Sequence, residues 1–129
     1  MNAQVGDRIV HRCYVSFDQA HYAGNLVDGA WSLARFGDAA TELCIVSDGA
    51  EGLLAGYDEV RFHAPVRGGD VVEISAETVA VGTRSRRIRF SARVTARGAS
   101  TPQRPGASRV LDPPLVVTSA NGTVVIPGQ

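Results

Sequence analysis

The sequence predicts an α+β fold, an antiparallel sheet packed on one long helix, and three observations carry that expectation. Only one segment of the 129-residue chain, beginning at His21, sustains a helical period. Everything after it alternates with period two, as strands do. A sheet with one apolar face also needs something to cover it, and this helix is the only element available.

Taken in order, Arg8 to Phe17 reads as a first strand with Ile9, His11, Cys13 and Val15 on one face. The helix follows from about Asn25 to Ser47, with Asn25 and Asp28 able to cap its first turn and Asp48-Gly49 supplying the stop. At about 100° per residue, Leu26, Ala30, Leu33, Gly37, Ala40 and Cys44 form an apolar stripe expected to be buried. Residues 48–52 make a turn, and Leu53 to Ala64 is strand-like with a bulge expected at Gly56. Pro65 and Gly68-Gly69-Asp70 make the next turn.

Val71 to Val81 and Arg84 to Arg97 read as two long strands joined around Gly82. A turn centred near Thr83 sets Glu77 opposite Arg89 and Glu73 opposite Arg93, an ordinary cross-strand charge ladder. Gly98 to Pro114, with Pro102, Pro105, Pro113 and Pro114, reads as a loop. Leu115 to Ile126 returns to strand. Asn121-Gly122 within it fits either a two-residue hairpin turn or a bulge, and the local signal favours the hairpin.

A chain of this size supports one domain, 1–129, with one core. Hydrophobic residues make up 44% and charged residues 20%, a globular composition. The formal net charge of zero predicts no broad attraction to nucleic acid or membrane. All 13 basic residues are arginine, which excludes Schiff-base lysine chemistry and a Walker phosphate loop. Met1 to Asp7 lacks the layout of a signal peptide and no apolar run approaches membrane-spanning length, so the cytoplasm is the expected location. Cys13 and Cys44 fall in apolar patterns and read as small core residues in a reducing compartment, with pairing of the two as the alternative, and three scattered histidines give a metal site little support.

Opposite the apolar stripe lie Asp28, Trp31, Arg35, Asp38 and Glu42. A solvated surface with an Arg35–Asp38 or Arg35–Glu42 pair is the plain reading. A tryptophan among the charges, and three carboxylates sharing a stripe with one arginine, point instead to a working surface. The Arg84-Ser85-Arg86-Arg87 cluster has no matching acids in the strand pattern and is placed to meet an anion.

Sheet wrapped around one helix is the hotdog architecture. Three segments are the most specific: His-Tyr-Ala-Gly-Asn-Leu-Val-Asp-Gly-Ala (21–30), Phe-Gly-Asp-Ala-Ala-Thr-Glu-Leu (36–43) and Asp-Gly-Ala-Glu-Gly-Leu (48–53). Ala-Pro-Val-Arg-Gly-Gly-Asp (64–70) and Val-Leu-Asp-Pro-Pro-Leu-Val-Val (110–117) add to them. In these motifs the whole chain resembles the hotdog-fold β-aminoacyl-CoA ammonia-lyases. Under the resemblance the last strand runs through Gly122 without a hairpin.

The resemblance implies reversible loss of ammonia from a β-aminoacyl thioester of coenzyme A. Coenzyme A is then part of the substrate, and no prosthetic group is expected; the chain has no Ala-Ser-Gly from which one could cyclise. Backbone N–H groups at the helix start suit the carbonyl oxygen that gains charge as the α-proton leaves, and Gly24 to Gly29 leaves room for the thioester. Glu42 or Asp38 is the candidate general base, with a pKa that partial burial would raise. Asp28, or the remaining member of that pair, would hold the ammonium group.

His21, Tyr22, Gly24, Asn25, Gly29 and Trp31 complete the expected substrate site. Arg84, Ser85 and Arg86 are the expected contacts to coenzyme A. Each also has a structural reading: Asp28 as a cap, His21 and Tyr22 as loop braces, Trp31 as interface packing, His11 and His63 as packing residues in strands. The resemblance further implies a homodimer, or a higher homo-oligomer, with the site at the junction of two sheets. The alternatives are a hotdog acyl-CoA thioesterase and a non-catalytic acyl-thioester-binding subunit.

Overall fold

The computed structural model describes residues 2–128. The elements run β1 (Arg8–Tyr14), a 3₁₀ turn (Phe17–Gln19), β2 (Leu26–Val27), α1 (Gly29–Asp48), β3 (Leu53–Phe62), β4 (Val66–Arg67), β5 (Val71–Val81), β6 (Ser85–Gly98) and β7 (Ser108–Val125). Five strands form one antiparallel sheet in the order β1-β5-β6-β7-β3, and β2 pairs with β4 in a separate two-residue ribbon. The expected α+β architecture, a sheet curved round one helix, is present.

The core is the contact between the helix and the inner face of the central strands. Phe36, Ala39, Ala40 and Leu43 bury against Ile74, Ile88, Phe90, Ala92 and Val94. Phe36 stacks on Phe90 with ring centroids 5.0 Å apart, and Tyr57 meets Phe90 edge-on at 5.8 Å. Gly122 is required beneath this cluster, because a Cβ there would lie 2.8 Å from the Phe90 ring. β7 therefore runs straight through Gly122, paired with Ile88 on one side and Tyr57 on the other, and the local hairpin signal is overridden.

The buried helix face differs from the expected one. Ser32, Phe36, Ala39, Ala40, Leu43, Cys44 and Ser47 are buried, while Ala30 is exposed and Leu33 and Gly37 are half-buried. The true stripe is turned by roughly 80° about the axis at 100° per residue. The helix also starts at Gly29 instead of Asn25, since Leu26 and Val27 pair with β4.

The proline-rich stretch is likewise corrected. Residues 108–114 belong to β7, and only 99–107 form a loop. Val94 pairs with Leu115 and Ala96 with Val110, so residues 111–114 bulge out of the ladder. Pro113 and Pro114 sit where no ladder N–H is needed. The expected pairs Glu77–Arg89 and Glu73–Arg93 are both in register, and a register shift lies between Leu54 and Gly56.

Arg86 does not face solvent. Its guanidinium donates from Nε and Nη2 to the Asp48 carboxylate at 2.9 and 2.8 Å, and from Nη1 to the carbonyls of Gly82 and Ser85. Both side chains are about nine-tenths buried. The pair clamps the C-terminus of α1 to the β5–β6 turn. The hydrogen bonds from Arg86 hold the Asp48 carboxyl below its usual pKa, against the opposing effect of burial.

Candidate active site

The loop before α1 is shaped by backbone that few residues tolerate. Gly24 has φ +78° and Asn25 φ +62°, and Tyr22 N–H donates to the Leu26 carbonyl to close the turn. Asn25 Nδ2 donates to the Gly68 carbonyl at 2.9 Å, and Gly68 N–H returns a bond to the Asn25 carbonyl. Asn25 is therefore a positioning residue and not a helix cap. His21 rests edge-on against Tyr22 at 4.6 Å.

Asp28 occupies the N-cap position, with φ −70° and ψ 157°, yet its side chain makes no capping hydrogen bond. The carboxylate is thus not used on its own helix. Gly29, the first helical residue, carries the Phe62 ring directly against it: a Cβ on Gly29 would fall 2.4 Å from Phe62 Cε1. Around this point opens a cavity of about 560 Å³ lined by Tyr22, Asp28, Gly29, Ala30, Phe62, His63, Val66 and Thr118, among others. Ser32 borders it too, buried and accepting a bond from Thr118 Oγ1 at 3.2 Å.

The Gly29 and Ala30 amides that open the helix have no intrahelical partner, and beside an apolar ring they favour developing negative charge. Gly29→Ala should displace Phe62 and lower kcat/KM by roughly tenfold or more through misplacement of the reacting groups. Phe62 is 58% exposed in the protomer and lies outside its hydrophobic core, so the substitution should leave the protomer fold intact. Paired kinetics and a melting curve check this.

The other expected site residues lie far down the helix. At 1.5 Å per residue, Asp38 is about 15 Å and Glu42 about 21 Å from Asp28 along the axis. Their side chains are 65% and 51% exposed, so the partial burial expected for them is absent within one protomer. Glu42 Oε1 is 2.7 Å from His11 Nε2 on the edge strand β1, which removes His11 from the packing role expected of it. Asp38 pairs with Arg35 at 3.3 Å, and the Arg35 guanidinium lies 5.8 Å from the centroid of Trp31. Trp31 is half-buried against the core and does not line the cavity. One protomer therefore gathers Tyr22, Asp28 and Gly29 but not Asp38 or Glu42.

The expected coenzyme A contacts are largely withdrawn. Arg86 is consumed by Asp48, and Arg87 pairs with Asp58, so the cluster does have matching acids, supplied by distant segments. The Ser85 carbonyl accepts bonds from Gly82 N–H and Arg86, leaving Arg84 as the exposed cation of the expected trio. Burial raises the thiol pKa of Cys13 and Cys44, and among the described residues no group of three or more metal-ligating side chains comes together. Among the described residues no helix is long and apolar enough to cross a membrane.

Phe62, His63, Ser32 and Thr118 border the cavity without having been expected to. His63 Nε2 sits 2.8 Å from Ser119 Oγ. Ser32 lies one turn beyond Asp28 on α1, whereas the proximity of Phe62, His63 and Thr118 to Asp28 depends on β3 and β7 closing over the helix start, which no local pattern announces.

The thioesterase-superfamily profile matches residues 24–101. The chain is 46% identical over 115 residues to the 3-aminobutyryl-CoA ammonia lyase of Acetoanaerobium sticklandii, covering 88% of this chain and 89% of that one. It superposes on β-alanyl-CoA:ammonia lyase from Clostridium propionicum with a TM-score of 0.88 at 35% identity, covering 95% of this chain and 87% of that one. A hexameric hotdog-fold thioesterase of Campylobacter jejuni shares the fold, with a TM-score of 0.73 at 18% identity over 97% of this chain and 84% of that one.

Proposed function

Because the chain belongs to the thioesterase superfamily, and within it to the family of the 3-aminobutyryl-CoA and β-alanyl-CoA ammonia-lyases, we propose that it eliminates ammonia reversibly from a short β-aminoacyl-CoA. The observation that carries the assignment of roles is the free Asp28 carboxylate beside the first-turn amides of α1 in one cavity. A cationic amine and a thioester carbonyl are the two groups such a pair recognises.

In the elimination a base takes the α-proton, the electron pair becomes the α,β double bond, and the C–N bond breaks to release ammonia. The thioester oxygen carries the charge in between, held by the Gly29 and Ala30 amides. Asp28 holds the ammonium group until it leaves. Tyr22 and His21 close the mouth of the cavity. Asp38 is the proton-transfer carboxylate, and Glu42, held by His11 one turn further on, supports it electrostatically.

Asp28 and Asp38 meet only if two copies of the chain share the site. β3 is an edge strand and exposes Leu53, Leu54 and Phe62. Antiparallel pairing of two β3 edges sets the two helices antiparallel and brings the middle of one toward the start of the other. Such a closed dimer should bury well above about 1,000 Å² in total. Light scattering at low concentration tests it, and a fully active monomer would contradict it.

The reaction itself is tested by mixing the protein with crotonyl-CoA and ammonia. Loss of the conjugated-thioester absorbance without thiol release supports the lyase. Thiol release without prior loss of the double bond would assign a thioesterase instead.

A further inference from the structure

Two buried hydroxyls stand at the floor of the acyl cavity. Ser32 and Thr118 are 1% and 2% exposed, and both line the cavity that Asp28 and Gly29 border. Thr118 Oγ1 donates to Ser32 Oγ at 3.2 Å, a bond from β7 to α1 between residues 86 positions apart. Their neighbours in the lining include Val27, Val66 and the Phe62 ring. Hydroxyls in apolar surroundings are costly unless their hydrogen bonds are met.

This pair leaves one bond unmet. It holds two O–H protons, and the bond between the two oxygens uses one. Ser32 keeps the other. Elsewhere on the same helix, Thr41 donates to the Gly37 carbonyl one turn back at 2.9 Å, and Ser47 donates to Asp7 at 3.0 Å. Among the described residues Ser32 donates to no such group. A buried donor that faces a cavity without an acceptor is provided for by whatever the cavity binds.

The helix aims that proton. Side chains on an α-helix lean toward its N-terminus, so the Ser32 hydroxyl lies over the turn that opens at Asp28 and Gly29. A β-aminoacyl thioester brings two polar groups to this place, and they differ in kind. Its ammonium only donates, and the uncapped Asp28 carboxylate receives it. Its carbonyl oxygen only accepts. Nucleophilic attack by Ser32 has no support, because among the described residues no base is hydrogen-bonded to its hydroxyl.

We propose that Ser32 is a further catalytic residue, its hydroxyl donating to the thioester oxygen beside the Gly29 and Ala30 amides, with Thr118 as the residue that positions it. By donating into the Ser32 oxygen, Thr118 holds that oxygen in place and leaves the Ser32 proton to the substrate. Inside the cavity the bond strengthens as the oxygen gains charge on loss of the α-proton. The inference rests on the lyase reading above, and one of its readouts needs no turnover.

The experiment pairs kinetics of ammonia addition to crotonyl-CoA with infrared difference spectra of crotonyl-CoA bound in the absence of ammonia. Carbon-13 at the thioester carbonyl isolates its band. In the wild type that band should lie at lower wavenumber than in free crotonyl-CoA. Ser32→Ala should reverse much of the shift and lower kcat about a hundredfold, the usual loss for one oxyanion donor. KM for crotonyl-CoA should stay within about twofold. Thr118→Val should lower kcat about tenfold, and Thr118→Ser, which restores the donor, should recover most of it. The double variant Ser32→Ala/Thr118→Val strands no hydroxyl, so it stays folded even where Ser32→Ala does not, and it should be no slower than Ser32→Ala. Unchanged kcat without the Ser32 hydroxyl, or a loss of kcat with the bound carbonyl band unmoved, would overturn the proposal. A carbonyl band that moves with Ser32, in a protein that does not consume crotonyl-CoA with ammonia, would sink the lyase reading and keep the donor.

Discussion

Asp38→Asn is expected to lower turnover at least about a hundredfold while the protein stays folded, the loss usual for a proton-transfer group. The substitution is nearly isosteric, and the side chain is 65% exposed on a helix face turned away from the core. Among the described residues it pairs with Arg35, at 3.3 Å across an exposed i,i+3 pair of little energetic weight. KM for the aminoacyl substrate should move far less than kcat. Asp28→Asn should show the opposite division, with weaker binding of the aminoacyl substrate than of the enoyl product, because only the former carries an ammonium group. Glu42→Gln should cost less than Asp38→Asn, since His11 still fixes the side chain. Steady-state kinetics in both directions separate the three roles, and near-full activity of Asp38→Asn would remove it from the site.

Arg86→Ala should cost about 3 kcal/mol, because it strands the Asp48 carboxylate in a site about nine-tenths buried. For a domain of this size that corresponds to a fall of about 10 °C in melting temperature. Arg84→Ala, at an exposed position two residues away, should leave stability nearly unchanged. The pair also fixes the acid response. Asp48 has its pKa lowered by the hydrogen bonds from Arg86, so it contributes stability that is complete above the ordinary carboxylate value, about 4. That stability is lost as pH falls through the lowered value. Glu73, held down chiefly by its hydrogen bond from Arg93, adds in the same direction. Denaturant melts between pH 6 and about pH 3 should show the wild type losing stability with acid more steeply than Arg86→Ala.

The sheet was readable because its signals are local. Alternation places β5 and β6, and a turn centred near Thr83 sets the Glu77–Arg89 and Glu73–Arg93 pairs that the ladder contains. The helix was readable as a helix but not in its rotation. Its small residues, Ala30, Ala34, Gly37, Ala39 and Ala40, spread over much of the circumference, so the apolar stripe has no sharp edge. Phe36, the largest side chain on the buried face of α1, decides the orientation by stacking on Phe90, a contact with a residue 54 positions away. Arg86 was misread for the same reason: its partner, Asp48, lies 38 residues back. The prolines at 113 and 114 advertised a loop because propensity cannot see that a bulge spares them the ladder. Within the site, the 21–29 segment was legible from its glycines and its motif. Phe62, His63 and Thr118 were not, because they arrive there only when the outer strands fold over the helix start.

The central claim is that ammonia is eliminated at a site built from Asp28 of one copy and Asp38 of another. Co-refolding equal amounts of Asp28→Asn and Asp38→Asn and assaying ammonia addition to crotonyl-CoA tests it most directly. Half of the dimers formed by random mixing are mixed, and each of these has one site with both carboxylates intact. At ammonia concentrations well below saturation each variant alone should be strongly impaired, Asp38→Asn in turnover and Asp28→Asn in its KM for ammonia, and the mixture should recover about a quarter of wild-type activity, as a closed two-fold dimer requires. A mixture no more active than its components would place the chemistry within a single protomer and contradict the account.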